Sequence, residues 1–173
     1  MQNDSRHFSG VPLRPISSIF AALLALSACD PQRVARLEEG VSTETDVRRE
    51  FGEPVTITQL ADGSRVFDYP RQPEGFTNYV ITIGPDGKMS ALRQLLSEQN
   101  FARVTPGLDR EQVRALLGRP AKVKRYALRD QEVWDWRFKP VNEVKIFSVT
   151  FDASGHVLSS AVGDDPREAL PGG

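Results

Sequence analysis

The sequence predicts an α+β fold of two similar units, each with two short helices packed on a three- to four-stranded antiparallel sheet, and three observations predict it. One pattern is written twice at a near-constant spacing of 66 residues: Gly40, Val47, Phe51, Gly52 and Pro54 are answered by Gly107, Val113, Leu117, Gly118 and Pro120. In each copy the apolar pair lies four residues apart, so Val47 with Phe51 and Val113 with Leu117 share one helical face. After each proline come short alternating or apolar stretches divided by turn signals such as Asp62-Gly63 and Asp86-Gly87, the pattern of an antiparallel meander.

The helix ends follow from the same residues. Ser42 or Asp109 stands where a side chain caps the second helix of each unit, with Asp46 or Glu111 and Gln112 in its first turn. Gly52 and Gly118 follow the last helical residue and suit a left-handed closing conformation, and Pro54 and Pro120 stop any continuation. The expected strands are 55–60, 65–69, 79–83 and 89–95 in the first unit, then 121–128, 131–138, 144–151 and 156–162 in the second. A unit of roughly 65 residues is marginal for one core, so the two should pack together. The organisation expected is a leader over 1–28, units over 29–96 and 97–163, and a polar tail over 164–173.

The leader has a chemistry of its own. Arg6 and Arg14 precede the uncharged run Ile16 to Ala28, which is shorter than the roughly 20 apolar residues a membrane span needs. It ends in Leu26-Ser27-Ala28-Cys29, which resembles the lipobox of bacterial lipoproteins. The resemblance implies loss of residues 1–28 and acylation of Cys29. At about 0.8 kcal/mol per buried CH₂, two or three long chains would hold the protein on a bilayer, facing the periplasm. Asp30, next to that cysteine, resembles an inner-membrane retention signal, which leaves both membranes open.

Composition bounds the function. The 173 residues carry 22 bases and 23 acids, a net charge of −1, which argues against a nucleic-acid partner. One cysteine and two histidines, His7 and His156, supply neither a multi-thiolate metal site nor a nucleophile with its base, and phosphate-binding glycine loops are absent. No cofactor and no catalysis are expected. Carboxylate pairs such as Asp164 with Asp165 or Asp130 with Glu132 could in principle do acid/base work, and nothing around them implies a closed pocket.

Gly107, Val113, Leu117, Gly118 and Pro120, followed by Val133, Trp134 and Trp136, resemble the BamE family, also called SmpA/OmlA, small lipoproteins of the outer-membrane β-barrel assembly machinery. The resemblance is clearest over 99–152 and visible over 34–92. It implies a lipid-anchored scaffold at the periplasmic face of the outer membrane, with barrel-assembly proteins as partners. Tandem units of this type also resemble β-lactamase inhibitor protein, which implies as the alternative a regulatory binder gripping a periplasmic enzyme through a concave sheet.

Candidate contact residues stand apart from those structural positions. Arg119, Lys122, Lys124, Arg125 and Arg129 form a run of five bases without an acid, suited to anionic lipid, to an acidic partner, or to a solvated edge strand. Residues 30–100 carry 8 bases and 12 acids, whereas 101–173 carry 12 and 10, so the second unit is the one expected to face membrane or acidic protein. Phe76, in the Pro/Gly-rich loop after Tyr69, either makes an exposed contact or folds back on the sheet. Trp134 and Trp136 share one strand face, as do Phe67 and Tyr69, for packing under the helices or for binding.

Overall fold

The computed structural model describes residues 30–168. The leader over 1–28 and the acylation of Cys29 lie outside the described residues. The chain runs α1 (Asp30–Ala35), α2 (Glu44–Phe51), β1 (Thr56–Gln59), β2 (Arg65–Pro70), β3 (Asn78–Ile83), β4 (Met89–Gln94), α3 (Glu98–Phe101), α4 (Arg110–Leu117), β5 (Lys122–Tyr126), β6 (Gln131–Phe138), β7 (Lys145–Phe151) and β8 (Val157–Asp164). It forms two four-stranded antiparallel meanders, β1-β2-β3-β4 and β5-β6-β7-β8.

Each meander alternates. Its inner face packs beneath its own helix: Val47 and Phe51 of α2 close over Phe67, Tyr69, Tyr79, Ile81, Ile83 and Met89. Val113 and Leu117 of α4 close over Trp134, Trp136, Phe138, Phe147, Val149 and Phe151, with Phe101 of α3 stacked on Phe147 at 4.2 Å. Both tryptophans are therefore core, as are Phe67 and Tyr69. Burying each such side chain contributes about 1.5–3 kcal/mol, and these two clusters hold the sheets to their helices.

Matching hydrogen bonds finish both helices. Thr43 caps α2 and Asp109 caps α4, each in a reciprocal capping box with Asp46 or Gln112. Ser42 does not take the cap expected of it, because its hydroxyl accepts the Glu38 N–H one turn earlier at 2.9 Å. Gly52 and Gly118 close the helices with φ of +81° and +72° but ψ of −159°, an extended mirror conformation rather than the left-handed helical one. That region is essentially open to glycine alone. Each glycine carbonyl then accepts from the buried aromatic at the end of the second strand: Tyr69 Oη at 3.1 Å and Trp136 Nε1 at 3.2 Å.

A single difference in wiring distinguishes the two helices' first turns. Glu44 of α2 pairs with Arg65 of β2, while at the matching positions Arg110 of α4 pairs with Glu132 of β6 at 3.1 Å. The charges have exchanged sides and the ion pair is kept.

The units join at the back of the first sheet. Asn78 is 1% exposed and, by alternation with Tyr79, points away from α2. Its Nδ2 donates to the carbonyls of Leu117 and Arg119 at 2.7 and 2.9 Å, the end of α4, and its Oδ1 accepts from the Arg71 N–H. Gln72 matches the Arg137 backbone with both ends of its amide, donating to the carbonyl at 2.7 Å and accepting from the N–H at 3.2 Å. The Arg137 guanidinium is buried between the loop after β2 and the chain end: it donates to Asp165, Glu168 and the Pro73 carbonyl and covers the Phe76 ring at 4.8 Å. The polar tail expected from Asp164 is thereby corrected. Asp164 ends β8 and Asp165 is 1% exposed, because a buried arginine needs a carboxylate beside it.

Two predictions follow from these closures. A Cβ on Gly52 meets nothing within 4 Å, whereas on Gly118 it lies 3.0 Å from Asn78 Nδ2. Gly52→Ala should cost about 1–3 kcal/mol for the backbone alone. Gly118→Ala should cost more in urea melts, because the Asn78 bridge is displaced as well. Burial raises the Asp165 carboxyl, but the Arg167 N–H and the Arg137 guanidinium outweigh it and hold it below the usual carboxylate range. Its stabilisation is thus complete above about pH 4 and lost as pH falls through the folded value. Asp165→Asn should cost about 3 kcal/mol at neutral pH and flatten the acid limb of a Tm-against-pH curve.

Candidate functional site

Four of the five bases singled out in the sequence are gathered along one margin of the second sheet, and the fifth stands just before it. β5 is an edge strand, paired only with β6, and all five of its residues are exposed. Val123 registers with Trp134 and Arg125 with Glu132, so these two lie on the face that α4 covers, while Lys122, Lys124 and Tyr126 lie on the back. Lys124 sits over the Tyr126 ring at 4.5 Å. Arg129 ends the one-turn 3-10 helix Ala127–Arg129 that follows the strand, and Leu128 between them is completely exposed. Val123 and Tyr126 are 53% and 39% exposed, so apolar surface is interleaved with the bases.

Only Arg125 of this group is engaged by an acid. Its Nη2 donates to Glu132 at 3.2 Å, and Glu132 also accepts from Arg110 and from Trp134 Nε1 at 2.7 Å. Burial pushes the Glu132 carboxyl up, but these three donors outweigh it and hold it below its ordinary range. Arg119, Lys122, Lys124 and Arg129 have no ion-pair partner among the described residues.

At the start of β5 the margin opens into a cleft of about 550 Å³ between the units. Arg114, Arg119 and Lys122 line one side; Val55, Asp68 and Val80 line the other, on the back of the first sheet. Asp68 is the only acid in the lining, and burial pushes its carboxyl up.

The remaining chemistry is already occupied. Asp164 pairs with Lys145 at 2.8 Å and Asp165 with Arg137, so that pair of carboxylates is held ionised by cations. Asp130 is exposed at the tip, with φ of +51°, and Glu132 is bound as described. His156 Nδ1 lies 2.9 Å from Ser154 Oγ, which donates to Asp152 at 2.7 Å. All three are on the β7–β8 turn, where Asp152 accepts from both the Ser154 hydroxyl and the His156 backbone N–H and no carboxylate holds the imidazole ring. Among the described residues no group of three or more potential metal ligands forms, and no helix is long and apolar enough to cross a membrane.

Phe76 is not part of the basic margin. It is half-buried under Arg137, in a groove of about 620 Å³ that also includes Asp30, Phe138, Lys139 and Pro140. Asp30 is held there by Thr77 at 3.3 Å and Arg71 at 3.6 Å. Residue 30 therefore lies at the Phe138 end of β6, and the basic tip lies at the Gln131 end, about 23 Å away along an eight-residue strand. Gly40, Val47, Phe51, Gly52, Pro54, Gly107, Val113 and Leu117 sit in turns and core away from this margin, whereas Gly118 and Pro120 line the cleft at its start. Sequence reasoning missed Gln72, Asn78 and Arg137, which orient the units, and Asp68 in the cleft, and it named Asp165 only as half of a carboxylate pair rather than as the partner of Arg137. Strand alternation puts Arg137 and Asp68 on the back of their sheets, and only the stacking of the units covers them.

Known proteins place the second unit. No curated protein matches the chain. A crystal structure of a DUF4309 family protein, YjgB from Bacillus subtilis subsp. subtilis str. 168, is 18% identical, covering 78% of this chain and 86% of its own, with a TM-score of 0.33. A likeness of that degree carries no argument. Residues 94–161 match the family model described as the outer membrane protein assembly factor BamE domain. That span starts at the end of β4 and takes in α3, α4, β5, β6, β7 and most of β8, so the unit that carries the basic margin is the part of the chain that is similar to the BamE domain.

Proposed function

We propose that this chain is a lipid-anchored envelope protein, held by Cys29 at the periplasmic face of a membrane, that binds a protein partner during outer-membrane assembly and does no chemistry of its own. The BamE domain supports a protein-binding role in the envelope. The observation that carries the reading is the exposed basic margin on that unit, at the end of the sheet opposite residue 30.

Geometry favours protein over lipid at this margin. Surface charges are screened beyond about 8 Å at physiological salt. With the body standing on its residue-30 end, bases about 23 Å up β6 are beyond the reach of that bilayer and available to a neighbour. Lys139 and the exposed Val141, by contrast, belong to the loop at the anchored end. The inhibitor-like alternative asked for an open sheet lined with aromatics, and here the core aromatics lie beneath helices. Carboxylate hydrolysis asked for paired acids in a cleft, and Asp68 is alone.

The test is in cells. A photocrosslinker in place of Lys124 in the lipidated protein should capture barrel-assembly proteins, chiefly from the outer-membrane fraction. Cys29→Ser should abolish labelling by a palmitate analogue and release the protein from membranes. Crosslinks confined to lipid or to an inner-membrane complex would overturn the assembly role, and undiminished labelling of the mutant would overturn the anchor.

A further inference from the structure

We infer that the free edge of β5 is a docking site for an extended, acidic segment of a partner protein, which adds to the second sheet as a fifth strand. The inference deepens the proposed function by assigning the partner's chemistry and its mode of binding.

Four edge strands are present in the two sheets, and they are not alike. β1, the counterpart of β5 in the first unit, reads Thr-Ile-Thr-Gln and carries no charge, although all four residues are exposed. β8, the far edge of the second sheet, has no base, and β4, the far edge of the first, has one, Arg93, which Glu39 pairs at 2.6 Å. Lysines on an edge strand commonly serve to discourage aggregation. That purpose would apply equally to β1 and β8, which do without them, so the bases of β5 answer a need that the fold does not create.

The pattern along β5 specifies an occupant. An edge strand offers the N–H and C=O of every second residue to a neighbour, and side chains of an added strand stand directly opposite those of the host. On the back face the row is Lys122, Lys124 and Tyr126; on the helix face it is Val123 and Arg125. A segment with acids at alternate positions would meet Lys122 and Lys124, while its intervening apolar positions would lie along the half-exposed Val123 and the stem of Arg125, whose guanidinium keeps Glu132. Among the described residues Lys122 and Lys124 have no carboxylate partner to displace. Past Lys122 the same line enters the cleft edged by Arg119 and Arg114, so positive charge continues along the segment's path. Leu128, completely exposed beyond the other end of β5, supplies an apolar stop.

The probe is a short synthetic peptide alternating glutamate with valine, titrated by fluorescence anisotropy against the full chain in detergent. Three controls accompany it: the same peptide with lysine for glutamate, a version N-methylated at alternate amides, and vesicles containing phosphatidylglycerol. Binding of the acidic peptide is expected, with weakening by about tenfold or more in K122E/K124E and a similar loss on N-methylation. Amide exchange along β5 should slow on binding while β1 is unaffected. Both lysines are exposed, so circular dichroism of the variant should match the wild type. Equal binding of the N-methylated peptide would refute strand addition, and equal binding to K122E/K124E would refute the charge argument. Vesicle binding lost in K122E/K124E, with no peptide binding, would make this a lipid site instead. Capture of barrel-assembly proteins through Lys124 without peptide binding would overturn the docking mode and leave the proposed function standing; the reverse result would do the opposite.

Discussion

The amide of Asn78 holds the molecule's two halves in register, and most of what is distinctive about the surface depends on it. The last carbonyls of a helix have no partners within the helix, and α4 ends against protein rather than water. Asn78, nearly inaccessible on the back of the first sheet, donates both of its amide protons to the Leu117 and Arg119 carbonyls. Leaving such buried acceptors unmade would cost about 1–3 kcal/mol each. The second unit is thus seated at one place on the first. That seating creates the cleft beside Asp68, sets the line of β5 past it, and places residue 30 and the basic tip at opposite ends of β6.

A second tie fixes the rotation about the first. Gln72 reads the Arg137 backbone with both ends of its amide, and the guanidinium on the same residue is enclosed by Asp165, the Pro73 carbonyl and the Phe76 ring. A buried arginine is tolerated only with its charge matched and its donors satisfied. The requirement reaches the chain end, since Asp165 must fold in to meet it. Phe76, offered by the sequence as either an exposed contact or a tucked one, is tucked for this reason: its ring is one wall of the arginine's enclosure.

The internal architecture was readable because it rests on local rules applied twice. Spacing of four between Val47 and Phe51 and between Val113 and Leu117, glycine and proline stops, and period-two strands each have a cause within a few residues, and the elements fall within one or two positions of expectation. Thr43 displaced Ser42 as the cap because either residue type can accept the N3 amide, and only the path of the preceding turn decides which one does. The joining residues were not readable. Asn78, Gln72, Arg137 and Asp165 act across 28 to 65 positions of sequence, and nothing in the local pattern of a strand end or a loop marks a polar side chain that another unit will cover. The basic run was visible as a run; its being an edge, and its distance from residue 30, were not.

Comparison of the two units separates what the fold demands from what it permits. Where a contact is structural it is conserved in kind: an arginine lies over the central aromatic at 5.0 Å in one unit and 5.1 Å in the other, and an aromatic donor meets each closing glycine. Even the exchanged pair obeys this, since Glu44 with Arg65 and Arg110 with Glu132 both join helix start to strand. Packing constrains the pair's neutrality and leaves its polarity free. The exchange has a consequence at the margin, however. With the acid on β6 rather than on the helix, Glu132 faces β5 and can hold Arg125 against the helix-side face, while Lys122 and Lys124 extend unpaired on the back. In the first unit the strand position opposite β1 carries Arg65 instead, and a base at the matching place on β1 would meet like charge. Reversal of the ion pair therefore accounts for a base at Arg125 where β1 has Gln59, while Lys122 and Lys124 stand opposite Asp135 and Val133 just as the uncharged Thr56 and Thr58 stand opposite Asp68 and Val66.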